Sequence, residues 1–329
     1  MFRTIPAPRR HSDGQAQATG NRTGGSPPSS LTWPVPRQHV HRAAVAEVFL
    51  TGWRPLDDTR FALSAQWPSG HDFFTPVGGS YYDPMLVAET VRQAGALLAH
   101  GAFDVPLDHQ FLMWELNYCV AAENMVMGST AADLDIEVEC VDIRQRKGQL
   151  TGLEYRAVAR VHGSVAATGG ARYTCVPPAV YERLRASAPH SLSTPAPSTR
   201  ARVTPRSVGR SSAFDVVLAP TGQLGQWLLH ADPRHPTLFD HPVDHVPGMV
   251  LLEAARQAAH TFEPTGCALL PTAVNSTYHR YVEHGSPCLI RATRNTATSA
   301  VHVTAHQDGD MVFEAEITVE TAPQAAYCG

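Results

Sequence analysis

"DHVPGMVLLEAARQAAH", residues 244–260, is the stretch whose reading decides the fold of this chain. It reads as a helix: Leu251, Ala254, Ala255, Ala258 and, one turn on, Phe262 form an apolar stripe at helical spacing. The other face carries Glu253, Arg256, Gln257 and His260 at i, i+3, i+4 and i+7. An earlier stretch, "DPMLVAETVRQAGALLAH" at 83–100, repeats the wording. With Glu89 laid on Glu253, an offset of 164, Met85, Arg92, Gln93 and Ala94 fall on Met249, Arg256, Gln257 and Ala258. The shared pattern M-φ-φ-x-E-x-x-R-Q-A (φ apolar) marks an internal duplication. A solvated helix face is the plain reading of such charges, but it tolerates any polar residue. The same Glu, Arg and Gln in both copies, on helices otherwise small and apolar, favour a fixed constellation wrapped by a sheet. A carboxylate in that setting must be paired or used.

Outward from each helix lie strand-like segments. "HRAAVAEVFLTGW" and "RFALSAQW" precede the first, and "HQFLMWELNYCVA", "LDIEVECVDIRQ", "TGLEYRAVARVHG" and "SVAATGGARYTCV" follow it. "AFDVVLA" precedes the second, and "TAVNSTYHRYV", "PCLIRATR", "AVHVTAHQDG" and "MVFEAEITVE" follow. Leu134, Ile136, Val138 and Cys140 alternate cleanly, then the phase slips at Val141, which predicts a bulge or a strand end there. "QRKGQL" (145–150) and "HQDGDM" (306–311) read as hairpin turns in matching places. The expected fold class is α+β, one long helix and an antiparallel sheet, written twice. The divisions are a disordered tail over 1–36, a first module over 37–180, a linker over 181–207, a second module over 208–322 and a tail over 323–329.

Composition narrows the function. With 329 residues and 43% hydrophobic, each half has material for a core. A net charge of −4 tells against a general nucleic-acid binder. Lys147 is the one lysine among the basic residues, which with abundant Ala, Pro and Gly is the codon bias of a high-G+C bacterial genome. The six cysteines are scattered without a C-x-x-C, which fits a reduced, cytoplasmic interior better than disulfides or a zinc ribbon. No apolar run is long enough to span a membrane and the N-terminus shows no secretory signal. There is no G-x-S-x-G, G-x-G-x-x-G or Walker A motif, so neither a serine nucleophile nor a nucleotide cofactor is expected, and no other cofactor. "DHPVDH" (Asp240, His241, Asp244, His245) reads as acid–base or capping chemistry rather than a metal site.

The residues suggest acyl chemistry. "HVPGM" places Pro247 and Gly248 at a helix start, where free N–H groups of Gly248 and Met249 face a guest such as a thioester oxyanion. Glu89, Glu253, His245 and His241 are the candidate catalytic groups. Arg256, Arg92, Gln257, Gln93, Gly248 and Met249 are the candidate substrate-binding residues, with either arginine able to fork onto a phosphate. An arginine three residues from a glutamate also pairs with it and weakens it as a base.

"HPVDHVPGMVLLEAARQAA" is similar to the active-site segment of hotdog-fold acyl-thioester enzymes, whose dehydratases run from a His-containing loop into P-G-φ-φ-φ-x-E-A-x-x-Q. Pro247, Gly248, Glu253, Ala254 and Gln257 match, while His241 and His245 compete for the histidine, on a shorter loop that tells against dehydration. Over residues 38–322 the paired E-x-x-R-Q-A helices more closely resemble the A-factor biosynthesis hotdog family. That resemblance implies a tandem hotdog fold and transfer of a β-ketoacyl group from an acyl carrier protein to the hydroxyl of dihydroxyacetone phosphate, the first step toward a γ-butyrolactone-type signal. It points to Glu89 and Arg256 as site residues. The alternatives are a dehydratase or thioesterase, or a non-catalytic acyl-binding protein. Two modules in one chain allow either a monomer with an internal pseudo-dimer or a homodimer.

Overall fold

The computed structural model describes residues 32–186, 201–262, 269–298 and 300–322. Residues 1–31 of the expected tail over 1–36, the tail over 323–329, the middle of the linker, and Cys267 and Cys328 lie outside the described residues. The first half holds β1 (Leu50–Pro55), β2 (Arg60–Trp67), α1 (Met85–Gly101), β3 (Gln110–Val120), β4 (Ala132–Arg146), β5 (Gln149–Val161), β6 (Ser164–Val176) and α2 (Pro178–Arg185). The second holds β7 (Leu218–Pro220), β8 (Gln226–Leu229), α3 (Gly248–His260), β9 (Leu269–Tyr278), β10 (Cys288–Arg294), β11 (Ala300–Gln307) and β12 (Asp310–Thr321).

Among the described residues all strand pairs are antiparallel, in one sheet of twelve ordered β1-β2-β4-β5-β6-β3-β9-β12-β11-β10-β8-β7. Read from the middle outward, the two halves are the same list, so a pseudo-two-fold passes between β3 and β9, where Asn117 faces Asn275. Helix α1 packs on β1, β2, β3, β5 and β6, and α3 on β7, β9, β10, β11 and β12. One helix and an antiparallel sheet, written twice, is the arrangement that the repeated helix implies, and it is the tandem double hotdog that the family resemblance implies.

The small residues of the helices let the sheet come close. Gly95 meets the Tyr155 ring, and Tyr155 and Tyr173 donate their hydroxyls to the Val91 and Gly95 carbonyls at 2.6 and 2.7 Å. Trp67, fully buried, donates its indole N–H to Thr90 Oγ1 at 2.9 Å. Leu134, Ile136, Val138 and Cys140 point into this core. The β4–β5 register shifts between Cys140 and Asp142, so the predicted bulge falls on Val141, which is exposed.

Four details differ from the sequence reading. The ordered chain begins before residue 37, since Val35 is buried and its N–H donates to Leu50 O at 2.9 Å. The hairpins are not in matching places: "QRKGQL" closes β4–β5, whereas "HQDGDM" closes β11–β12, whose counterpart is the His162–Gly163 turn between β5 and β6. "AFDVVLA" starts as a 3-10 turn over Ala213–Asp215 before β7, and β8 follows it. The linker expected from 181 starts inside α2, whose Arg185 is buried against the second half.

Candidate active site

The repeated polar face is buried, not solvated. Glu89, Gln93, Glu253 and Gln257 have no exposed surface. In the first half Arg42 Nε and Nη2 grip Glu89 at 2.9 and 2.7 Å. Arg92 Nε and Nη2 grip the same carboxylate at 2.9 and 2.7 Å, and Gln93 Nε2 adds a third donor at 2.7 Å. Gln93 then ties the helix to the chain before β1: it donates to Glu47 O at 2.7 Å and accepts from Phe49 N–H at 3.0 Å. The second half repeats every bond. Arg210, Arg256 and Gln257 surround Glu253 at 2.6–2.8 Å, and Gln257 donates to Asp215 O and accepts from Val217 N–H. Each outer arginine also crosses to the other half, Arg42 to Thr237 O at 2.8 Å and Arg210 to Phe73 O at 2.6 Å.

The electrostatics follow. Burial opposes charge on Glu89, but Arg42 and Arg92 bring its carboxyl down to about 2. Glu253 is likewise held well below the usual carboxylate range by Arg210 and Arg256 against the cost of burial. A carboxylate satisfied by two guanidinium forks has little proton affinity left for a substrate.

The halves diverge at their helix starts. At α1, Asp83 plugs the end: its Oδ1 accepts from Met85 N–H at 2.9 Å and its Oδ2 pairs with Arg210 Nη1 at 3.1 Å. At α3 the N-cap is Pro247, no side chain caps the turn, and Gly248 and Met249 line a cavity of about 770 Å³. Their N–H groups are the first of the helix and have no intrahelical acceptor. A Cβ at Gly248 would come to 3.0 Å from the Tyr278 ring, so glycine lets the helix end meet β9. The cavity is shared by both halves. Arg92, Ala96 and His41 line it from the first, Phe111, Met113 and Trp114 give an apolar wall, and His241 and His245 come from the loop before α3.

His245 stands in a built dyad. Its Nδ1 is 2.7 Å from Asp244 Oδ1, and its Nε2 has no hydrogen bond among the described residues. Asp244 in turn accepts from Tyr181 Oη at 2.7 Å and Arg185 Nε at 3.0 Å. Arg185 lies over the Tyr281 ring at 4.7 Å and is forked onto Glu283. Burial opposes the Asp244 charge, but its bonds to His245 and Tyr181 hold its carboxyl low. A neutral imidazole that donates Nδ1–H to such a carboxylate presents a lone pair on Nε2. His241 is half exposed and 3.7 Å from Asp240. Among the described residues no cluster of three or more His, Cys, Asp or Glu is arranged to hold a metal.

The A-factor biosynthesis hotdog domain matches residues 26–177 and again 192–323, covering most of the chain in two segments. This chain belongs to the A-factor biosynthesis hotdog family. A 2-oxo-3-(phosphooxy)propyl 3-oxoalkanoate synthase of Streptomyces virginiae is 48% identical over 299 residues, covering 89% of this chain and all of the relative. A synthase of the same name from Streptomyces griseus is 41% identical over 90% of this chain and 98% of its own. Among solved structures, a protein described as an oleoyl thioesterase of Lactobacillus plantarum aligns with a TM-score of 0.50 at 12% identity, over 80% of this chain and 96% of that one, a likeness of fold.

In this family member the cavity gathers half of the residues singled out by sequence. His241, His245, Gly248, Met249 and Arg92 line it, whereas Glu89, Glu253, Gln93, Gln257 and Arg256 are not among the lining residues. Sequence reasoning missed Arg42, Arg210, His41 and the Tyr181–Arg185 support. A second repeat would have found the arginines: at an offset of 168, Val40, Arg42 and Val48 fall on Val208, Arg210 and Val216, with Glu47 on Asp215.

Proposed function

We propose that this chain is a β-ketoacyltransferase that moves a 3-oxoalkanoyl group from an acyl carrier protein thioester to the hydroxyl of dihydroxyacetone phosphate. The product is the 2-oxo-3-(phosphooxy)propyl 3-oxoalkanoate for which its relatives are named, a precursor of a γ-butyrolactone-type signal. The observation that carries the reading is the His245–Asp244 dyad set beside the uncapped start of α3 in one cavity.

In this reading His245 Nε2 takes the acceptor's hydroxyl proton as the oxygen attacks the thioester carbonyl. The tetrahedral oxyanion is held by the N–H groups of Gly248 and Met249, then the C–S bond breaks and the proton passes from His245 to the leaving sulfur. Arg92 is the cation assigned to the phosphate; its Nη1 has no hydrogen bond among the described residues. Glu89 and Glu253 act as anchors that aim their arginines rather than as bases. His241 lines the same cavity. The modules over 37–180 and 208–322 thus both line the substrate cavity, and the β3–β9 seam supplies the hotdog pair within a monomer. No described helix is long and apolar enough to cross a membrane.

The test is direct: incubate the protein with a 3-oxoacyl thioester and dihydroxyacetone phosphate and follow products by mass spectrometry. A phosphorylated ester or its butenolide is expected. Free acid in its place identifies a thioesterase, an enoyl product a dehydratase, and tight binding without turnover a non-catalytic protein.

A further inference from the structure

His41 lines the cavity in a state its neighbours dictate. His100 Nδ1 is 2.6 Å from the Val105 carbonyl, which only accepts, so His100 Nδ1 carries the hydrogen. In a neutral His100, Nε2 is then an acceptor. It lies 2.7 Å from His41 Nε2, so that nitrogen of His41 carries the hydrogen. What remains on a neutral His41 is a lone pair on Nδ1, which takes no hydrogen bond among the described residues. Both rings are kept neutral by burial, which brings His41 down to about 3 with Arg92 adding to the effect and lowers His100 as well.

The device exists on one side only. Residue 209 stands where His41 does at the 168-residue offset, with a similar left-handed backbone (φ 66° against 52°), but it is Gly209. There the His260 ring fills the space: a Cβ on Gly209 would come to 2.5 Å from its Cδ2. At the matching helix position the first half has Ala96, which lines the cavity.

An acceptor-only group in a substrate cavity selects a ligand that offers O–H or N–H and disfavours an anion. On the proposed reaction, on which this inference rests, the acceptor's single hydroxyl hydrogen goes to His245. The remaining donors in the reactants are the two amide N–H groups and the one hydroxyl of the arm that carries the thioester, and of these an amide N–H lies nearest the reacting sulfur. We propose that His41 Nδ1 binds an amide N–H of the thioester's pantetheine-like arm, with His100 as the residue that positions it.

The experiment pairs enzyme and ligand changes. Dissociation constants are measured by calorimetry for a 3-oxoacyl N-acetylcysteamine thioester and for its isostere in which ester oxygen replaces the amide N–H. Because binding is read directly, failure of acyl transfer leaves the result interpretable. Wild type is expected to favour the amide about ten-fold. His41→Gln, which keeps a donor for His100 but loses the acceptor at Nδ1, abolishes the preference. His41→Asn, whose Oδ1 replaces Nδ1 and which tolerates a left-handed φ, restores most of it. His100→Phe reduces it by freeing the His41 tautomer. A wild-type protein indifferent to the amide, or a preference undiminished in His41→Gln, overturns the proposal.

Discussion

Arg42 Nη2 sits 2.7 Å from Glu89 Oε2, and Arg210 Nη2 sits 2.6 Å from Glu253 Oε2, the same bond made twice across a pseudo-two-fold. In both, the guanidinium spans from the helix of its own half to a loop carbonyl of the other. The pair is therefore a bolt between halves. Removing one partner leaves buried charge without compensation, at a cost of about 3–5 kcal/mol. Glu253→Ala is expected to lower stability by that order in urea unfolding. A variant with wild-type stability and lost activity would instead make Glu253 a catalytic group.

Acid sensitivity comes in two stages. His41 and His260 are held by burial at about 3 and about 4 in the fold, below the ordinary 6.5, so the unfolded chain binds their protons first. Stability should fall as pH drops from about 6.5. Glu89, at about 2 in the fold against an ordinary 4.5, adds a second loss below pH 4.5. Denaturant midpoints measured from pH 7 to 3 should show both slopes, and His260→Asn should flatten the first.

The dyad makes kinetic predictions. His245→Asn should lower kcat by about 10²–10⁴ with the fold intact by circular dichroism. Tyr181→Phe removes a donor from Asp244 and leaves its charge less dispersed. With the Asp244 anchor loosened, kcat should fall, by less than in His245→Asn, while KM for both substrates stays near wild type. An unchanged kcat would make Tyr181 a packing residue only.

Arg92 and Arg256 share a sequence context but not a setting, since Arg92 lines the cavity and Arg256 does not. Arg92→Lys loses the planar fork. It should raise the KM for the phosphorylated acceptor about ten-fold and leave the thioester's KM near wild type. Arg256→Lys should act through thermal stability with no acceptor-specific change. Equal effects on both KM values in Arg92→Lys would remove the phosphate role.

Much of this molecule is legible in its sequence because duplication writes the same physics twice. Chance does not repeat Glu, Arg and Gln on one helix face, so Glu89 and Glu253 were findable. Their meaning was not, because their partners Arg42 and Arg210 lie more than forty residues upstream in segments without helical or strand periodicity. The repeat offset also differs there, 168 against 164, so an alignment centred on the helices slides past them. The Val141 bulge was readable because a period of two registers a single inserted residue. The open end of α3 was readable from Pro247 and Gly248. That α1 is closed was not, since it takes Asp83 and an arginine of the other half to close it.

The continuous pairing of β3 with β9 has an evolutionary consequence. In a symmetric dimer of separate chains, each substitution lands in both sites, so a residue that improves one must be tolerated by the other. With both halves in one polypeptide, His can stand at 41 and Gly at 209, Ala at 96 and His at 260, each under its own selection. The two halves are thus free to differ where they line the shared cavity, which takes His41 and Ala96 from one and Gly248 and Met249 from the other.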